Sequence, residues 1–159
     1  TMDNDEIVIT KEGSERLQAE LRRLTTIDRP EATARVREAK RSAEDFDTSE
    51  YENAKMDQAI IEGRIEEIRS ILRRSVVLRD EDIPTDVVGI GSHVRVKDLD
   101  LDESWDLRIV GPIEADPSED RISYESPVGS ALMGKKVRDT IEVKVPDGTI
   151  KYKITKISK

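Results

Sequence analysis

The chain contains no cysteine, a single histidine and few aromatic residues, and each shortage argues against a class of protein. Without cysteine, its 159 residues can form neither a disulfide nor a thiolate metal site. The lone His93 gives little support to a histidine-based catalytic triad or zinc site. Aromatic residues make up 3% of the chain and charged residues 39%. This composition is typical of long solvated helices rather than of one large globular core.

Long apolar runs are also missing. No stretch approaches the roughly 20 apolar residues that a membrane-spanning helix needs. The first ten residues, TMDNDEIVIT, lack the basic and apolar regions of a signal peptide. We therefore expect a cytoplasmic protein that does not enter a membrane. The net charge of −8 argues against general binding to duplex DNA, which requires a basic surface.

Two segments in the first half carry narrow apolar seams. Their apolar residues recur every three or four positions, a spacing typical of a two-stranded coiled coil. Pro30 interrupts the first seam and predicts a bend near Asp28–Pro30. Because two neighbouring seams cannot both face water, we predict an antiparallel helical hairpin over residues 1–79. The first seam is Leu17, Leu21, Leu24, Ile27, Ala32, Val36, Ala39 and Ala43, and the second is Tyr51, Ala54, Gln58, Ile61, Ile65, Ile68 and Leu72.

The turn between the predicted helices falls in an acidic run. From Glu44 to Glu52 the chain has five acids and no base, and its only phenylalanine, Phe46, lies inside this run. We place the tip of the hairpin at residues 44–50, with Ser49 as the N-cap of the second helix. An aromatic ring at a solvated tip buries nothing in its own chain, which favours a tip that enters a partner. A merely solvated acidic turn is the alternative.

After Leu78 the pattern changes to short alternating runs separated by turn residues. We interpret residues 80–91 as a linker and residues 92–159 as a small antiparallel β domain with one short helix that ends at Gly134. The stretch PDG at 146–148 predicts a hairpin, and Trp105 is expected to fill the core of the sheet. The predicted fold class is α+β, with an N-terminal coiled-coil hairpin and a C-terminal globular β-rich domain.

Several stretches resemble one known family. EAKRSAEDFDTSEYENAKMDQAIIEGRIEEI resembles the coiled-coil tip of the Gre transcription elongation factors of the GreA/GreB type. SPVGSALMGKKVRDTIEVKVPDG resembles the C-terminal domain of that family, and TKEGSERLQAEL fits its N-terminus. The resemblance covers almost the whole chain and implies an FKBP-like topology for the second domain. It does not imply prolyl isomerase activity, because only Trp105, Tyr124 and Tyr152 are aromatic after residue 79.

The resemblance also implies a function. Gre factors bind bacterial RNA polymerase at its secondary channel and insert the coiled-coil tip near the active-site Mg²⁺, so that the factor alters the activity of the polymerase without being an enzyme itself. The implied tip acids are Glu44, Asp45, Asp47 and Glu50, with Phe46 as the tip aromatic. Glu44, Asp45 and Asp47 are the implied ligands of a Mg²⁺ or Mn²⁺ ion that is shared with the polymerase and not bound tightly by this chain alone.

Two further groups follow from the same resemblance. The basic residues nearest the tip are expected to contact RNA or the channel wall, and so to act on the 3′ end of the nascent RNA indirectly; they are Arg35, Arg37, Lys40 and Arg41. The C-terminal segment expected to dock on the polymerase contains Ser126, Pro127, Gly134 and Lys135. The chain is expected to act as a monomer.

The tip departs from the pattern G-D-L-x-E-N of cleavage-competent Gre factors. An ungapped match aligns Glu44 and Asp47 with the two acids of that pattern, and Asp45 replaces its leucine. The sequence SAEDFDTS is more similar to the extra-acidic tip of Gre-factor homologues that pause or inhibit polymerase. The tip therefore favours the pausing or inhibitory type, while stimulation of RNA cleavage stays open. A structural or chaperone-like coiled-coil adaptor with no polymerase role is the alternative outside this family.

Overall fold

The structure is a computed structural model that describes residues 6–43 and 48–159. The chain divides into two compact units. The first comprises Thr1–Ile7 and Glu12–Ser75, and the second comprises Val8–Lys11 and Val76–Lys159. We refer to them as the helical unit and the sheet unit. No helix in the described ranges is long and apolar enough to span a membrane.

Three long helices dominate the first half: α1 (Lys11–Arg23), α2 (Arg29–Ala43) and α3 (Ser49–Arg74). A π-helical turn, Leu24–Asp28, joins α1 to α2. The hydroxyls of Thr25 and Thr26 donate hydrogen bonds to backbone carbonyls of the preceding helical turn. The irregularity predicted from Pro30 is thus a widened turn just before α2, whose second residue is this proline. The helix continues through this turn, because Arg29 keeps right-handed helical backbone angles and its N–H donates to the Leu24 carbonyl. The widened turn is where the helix accommodates the N–H that Pro30 lacks.

The core of the helical unit lies along the predicted seams, with corrections. Leu17, Ile68 and Ile71 form a buried cluster against which Leu21, Leu24 and Leu72 are partly buried. Ile71 was not in the predicted seam. Ile27 was part of the predicted seam, yet it is 42% exposed. The predicted N-cap of the second helix is also wrong by one residue, because α3 already includes Ser49 and follows Thr48.

The sheet unit contains a five-stranded sheet, formed by β3 His93–Asp98, β4 Glu103–Val110, β5 Arg121–Ser123, β6 Thr140–Val145 and β7 Gly148–Ser158. The strands lie in the order β5-β4-β3-β7-β6. A short helix, α4 (Pro127–Leu132), follows β5. The hairpin predicted at residues 146–148 joins β6 to β7, with Val145 opposite Gly148. Strands β4 and β5 pair in parallel, and the other pairs are antiparallel.

Two short strands, β1 (Ile7–Ile9) and β2 (Ser75–Val77), form a separate two-stranded sheet. Within the sheet unit, the Thr10 backbone N–H and hydroxyl both donate to the buried carboxylate of Glu114. These hydrogen bonds satisfy a carboxylate that would otherwise be costly to bury. The α+β class, with a helical hairpin first and a β sheet second, is confirmed.

The sheet unit has a larger core than the helical unit, but Trp105 is not in it. Ten buried residues form one cluster: Val88, Val94, Val96, Leu107, Ile109, Leu132, Ile141, Val143, Ile154 and Ile157. Trp105 is opposite buried Val96 in the register of β3 and β4, yet its side chain is 41% exposed. The prediction that it fills the core is wrong because β5 pairs only with residues 108–110 of β4. Residues 103–107 are left at an edge of the sheet.

Candidate functional site

The predicted acidic tip lies where α2 and α3 are joined in sequence. Residues Glu44, Asp45, Phe46 and Asp47 lie outside the described residues. On either side of them, α2 ends at Ala43 and α3 begins at Ser49. Glu50, the remaining predicted tip acid, is exposed in the first turn of α3. A carboxylate in the first turn interacts favourably with the positive end of the helix dipole, which stabilises the start of α3.

The four basic residues predicted near the tip all lie on α2 and are exposed. Arg35 reaches across to α3, with 3.7 Å between its guanidinium and the Asp57 carboxylate. Arg41 lies 3.4 Å from Glu38 on its own helix. Neither Arg37 nor Lys40 has an ion pair with a residue in the ranges 6–43 and 48–159. Exposed pairs of this kind are weak, so all four side chains can be redirected towards an anionic ligand at small cost.

An open groove of about 350 Å³ lies between α2 and α3 next to the predicted tip. It exists because two small seam residues, Ala39 and Ala54, line it where larger side chains would have closed it. Acidic, basic and amide side chains line the rest. The lining residues are Arg35, Glu38, Ala39, Ser42, Glu50, Asn53, Ala54 and Asp57. The sequence interpretation missed this groove, although alanines at seam positions are the signal that could have predicted it.

A cation–π contact at the start of α3 was also missed. The Lys55 ammonium lies 5.1 Å from the centre of the Tyr51 ring. The two residues are four apart on one helix, the spacing at which helical side chains meet. This contact orders a basic and an aromatic side chain on the first turns of α3, close in sequence to the acidic run.

The segment around Ser126 and Pro127 is held by local hydrogen bonds. Ser126 is the N-cap of α4: its hydroxyl accepts from the Gly129 N–H at 3.1 Å and donates to the Ser123 carbonyl at 2.7 Å. Pro127 is the first residue of the helix and is exposed. An added Cβ at Gly129 would lie 1.8 Å from the Ser123 oxygen, so only glycine fits there. Gly129, which the sequence interpretation did not single out, fixes this corner.

Gly134 and Lys135 lie just after α4, and both are exposed. Gly134 has a φ of +77°, in the left-handed region that favours glycine. Its N–H donates to the Val88 carbonyl, and the Val88 N–H donates to the Lys135 carbonyl, each at 2.9 Å. Because Val88 is part of the buried cluster, these bonds anchor the segment to the core. The backbone of the predicted docking segment is therefore fixed at both ends of α4.

The described residues contain no group of three or more histidine, cysteine or carboxylate side chains that could hold a metal ion. Two carboxylates of the helical unit are held by arginines instead. Glu20 accepts two hydrogen bonds from Arg64, and Glu62 accepts two from Arg29, at distances of 2.6–2.9 Å. The hydrogen bonds from these guanidinium groups lower the pKa of Glu20 and of Glu62. The implied metal ligands Glu44, Asp45 and Asp47 lie outside the described residues.

Comparison with known proteins gives consistent results for both halves of the chain. Residues 7–77 match the family described as "Transcription elongation factor, N-terminal". Residues 83–159 match the family described as "Transcription elongation factor, GreA/GreB, C-term". Together the two matches span nearly all of the chain.

Individual relatives agree with the family matches. The chain is 49% identical over 156 residues to the transcription elongation factor GreA of Acetivibrio thermocellus, and 98% of each chain is covered. It is 49% identical over 150 residues to GreA of Clostridium acetobutylicum, covering 94% of this chain and 95% of that one. Among solved structures, GreA factor homolog 1 (Gfh1) of Thermus thermophilus is 35% identical, with 97% and 99% of the two chains covered and a TM-score of 0.46. This chain belongs to the GreA/GreB family of transcription elongation factors.

Proposed function

We propose that this chain binds bacterial RNA polymerase at the secondary channel and brings its acidic tip near the active-site Mg²⁺. The observation that carries the proposal is the family match of both halves, over residues 7–77 and 83–159. The segment from Ser126 to Lys135, whose backbone is fixed around α4, contributes to docking of the sheet unit. The exposed bases Arg35, Arg37, Lys40 and Arg41 contact RNA or the channel wall.

The tip acids Glu44, Asp45, Asp47 and Glu50 act together with groups of the polymerase. A few exposed carboxylates hold Mg²⁺ weakly, because this ion keeps most of its water molecules. We expect Glu44, Asp45 and Asp47 to contribute ligands to an ion that the polymerase also holds. Such an ion, Mg²⁺ or Mn²⁺, stabilises negative charge during phosphoryl transfer and activates water. The chain itself is an accessory factor.

The acidity of the tip favours pausing or inhibition as the effect on elongation. Asp45 stands where the cleavage-type pattern has leucine, so three acids occur within Glu44–Asp47. Extra carboxylates can hold a metal ion in an unproductive position or compete with the triphosphate of an incoming nucleotide. Stimulation of RNA cleavage is the second candidate, and the name GreA of the curated relatives favours it.

Stalled, backtracked polymerase complexes test the proposal in the presence of Mg²⁺ or Mn²⁺. The wild-type chain is expected to bind the complex, leave the RNA intact and slow its further extension. Shortened RNA would instead establish the cleavage activity. Failure to bind polymerase would contradict the proposal and favour a coiled-coil adaptor without a polymerase role.

A tip variant separates the action of the tip from docking. Asp45→Asn with Asp47→Asn is expected to abolish the effect on elongation while binding is retained, because the amides keep the shape and remove the charge. The matched control is Glu66→Gln with Glu67→Gln, which removes two exposed charges from α3 outside the tip. If the tip variant slowed elongation or stimulated RNA cleavage as well as the wild type does, the carboxylates of Asp45 and Asp47 would have no role in the effect on polymerase.

A further inference from the structure

The β3–β4 hairpin of the sheet unit, residues 98–106, exposes three large apolar side chains. Leu99 is 44% exposed, Leu101 is 63% exposed and Trp105 is 41% exposed. A single exposed leucine is ordinary on a protein surface, but three large apolar residues within seven positions of one hairpin are not. Tryptophan is also among the residues most enriched at the energetic centres of interfaces. These side chains contribute little to the core of their own unit.

Hydrogen bonds fix the turn that carries the two leucines. The Asp98 carboxylate accepts from the backbone N–H groups of Asp100 and Leu101 at 2.9 and 3.0 Å. The Leu99 N–H donates to the Lys151 carbonyl of β7 at 3.0 Å. Asp102 has a φ of +55°, a left-handed conformation that aspartate tolerates. The leucines are thus presented by an ordered turn, which lowers the entropic cost of binding a partner through them.

The hairpin is strongly acidic. Residues 98–106 include five acids and no base: Asp98, Asp100, Asp102, Glu103 and Asp106. Lys97 lies 2.9 Å from the Asp102 carboxylate, and Arg95 lies 2.8 Å from that of Asp106. Hydrogen bonds from these bases lower the pKa of Asp102 and Asp106, so both stay ionised. Asp100 and Glu103 have no ion pair within residues 6–43 and 48–159, and both are exposed.

The negative charge of the hairpin indicates which kind of partner can bind to this surface. A second copy of this chain is a poor fit, because the chain has a net charge of −8 and self-association through the hairpin would bring acids against acids. A basic surface with apolar side chains at its centre is complementary to both the leucines and the acids. Because the chain belongs to an elongation-factor family, RNA polymerase is the partner that the proposed function supplies.

We propose that the hairpin of residues 98–106 is a second docking surface for RNA polymerase, where Leu99, Leu101 and Trp105 contact apolar side chains framed by lysine and arginine. The inference rests on the proposed function. It adds to that function a site remote in sequence from Ser126 and Pro127, with its own chemistry. Binding through it depends on salt, because exposed charges are screened.

The first experiment measures the affinity of the full chain for core polymerase by a direct binding assay. Leu99→Ser with Leu101→Ser, and separately Asp100→Lys with Glu103→Lys, are each expected to weaken binding by about tenfold or more. The matched apolar control is Ile113→Ser with Val137→Ser, whose residues are 43% and 41% exposed elsewhere in the unit. The matched charge control is Glu119→Lys with Asp147→Lys, in other exposed turns. Both controls are expected to bind within about twofold of the wild type.

The outcomes separate this inference from the proposed function. If the wild type does not bind polymerase, the proposed function fails and this surface fails with it. If the wild type binds and both hairpin variants bind equally well, only the second docking surface is overturned. The charge variant is also expected to lose affinity less steeply than the wild type as salt is raised. Circular dichroism of each variant verifies that the fold is kept.

A second experiment needs no substitution. Hydroxyl-radical labelling followed by mass spectrometry reports the solvent exposure of Trp105, the only tryptophan of the chain, together with Leu99 and Leu101. Their labelling is expected to fall when polymerase is added, while labelling of Ile113 stays unchanged. Unchanged labelling of all three hairpin residues in a saturated complex would overturn the proposal.

Discussion

The helical unit and the sheet unit use different means to hold their elements together. Among the described residues, the buried cluster of the helical unit comprises Leu17, Ile68 and Ile71, whereas that of the sheet unit comprises ten residues. In the helical unit, two-point hydrogen bonds also join the helices, from Arg64 to Glu20 and from Arg29 to Glu62. A pair of helices has too little interior for a large core. Polar contacts along the sides of the helices therefore fix their register. In the sheet unit, the larger core fixes the register of the strands.

The first prediction compares the same substitution in the two cores. Ile154 in the sheet unit and Ile68 in the helical unit are both 0% exposed. Ile154→Ala is expected to reduce the free energy of unfolding of its unit by about 4 kcal/mol and Ile68→Ala by about 2 kcal/mol, because a thin core collapses around the deletion more easily. Hydrogen exchange of the amides of each unit measures the two losses separately.

A control on the same helix accompanies this comparison. Ile60 on α3 is 68% exposed, so Ile60→Ala is expected to change the free energy of unfolding by less than about 0.5 kcal/mol. An equal loss for Ile68→Ala and Ile154→Ala would contradict the claim that the two cores differ in depth. A large loss for Ile60→Ala would show that its face of α3 is covered.

The second prediction concerns a helix position where the helical unit gives up stability. Gly63 lies inside α3, and an added Cβ there would meet nothing within 4 Å. Gly63→Ala is therefore expected to raise the free energy of unfolding of the helical unit by about 0.5–1 kcal/mol, because alanine loses less backbone entropy on folding. Chemical denaturation measures this gain. The reverse change, Ala59→Gly at an exposed position one turn earlier, is expected to cost a similar amount, and a loss of stability in Gly63→Ala would contradict the prediction.

Periodicity predicted much of this architecture but not its details. The spacing of apolar residues predicts both helical segments and the alternation of the strands, because burial of one face imposes that spacing. It misplaced Trp105, since the extent of the β4–β5 pairing depends on contacts distant in sequence. It also missed Gly129, whose need for glycine arises from one carbonyl oxygen of Ser123. Residue type alone does not reveal such close approaches.

Some features of the candidate site could likewise be predicted from the sequence, and others could not. The exposed bases of α2 and the position of Glu50 follow from the helical pattern, since each lies off the apolar seam. The anchoring of Gly134 and Lys135 to Val88 does not, because it joins residues more than 40 positions apart. The acidic run is evident in the sequence, but its residues Glu44–Asp47 lie outside the described ranges. Its role therefore stays a prediction that the tip variant tests.

The smallest predicted effect concerns the polar contacts of the helical unit. The hydrogen bonds from Arg64 lower the pKa of Glu20, so their stabilisation is present above the ordinary glutamate pKa of about 4.3 and is lost as the pH falls through the lowered pKa of the folded state. Near neutral pH, Glu20→Gln is expected to cost less than about 1 kcal/mol, because both side chains are 38% exposed and solvent screens the pair. At an acid pH below the lowered pKa the difference from the wild type should vanish, since the wild-type carboxyl is then neutral as well. Chemical denaturation at both pH values measures the difference, with Glu15→Gln on the same helix as a control expected to have no effect. A difference that persisted in acid would mean that Glu20 stabilises the helical unit through packing and not through its charge. The two units would then differ less in how they are stabilised than the ion pairs of the helical unit indicate.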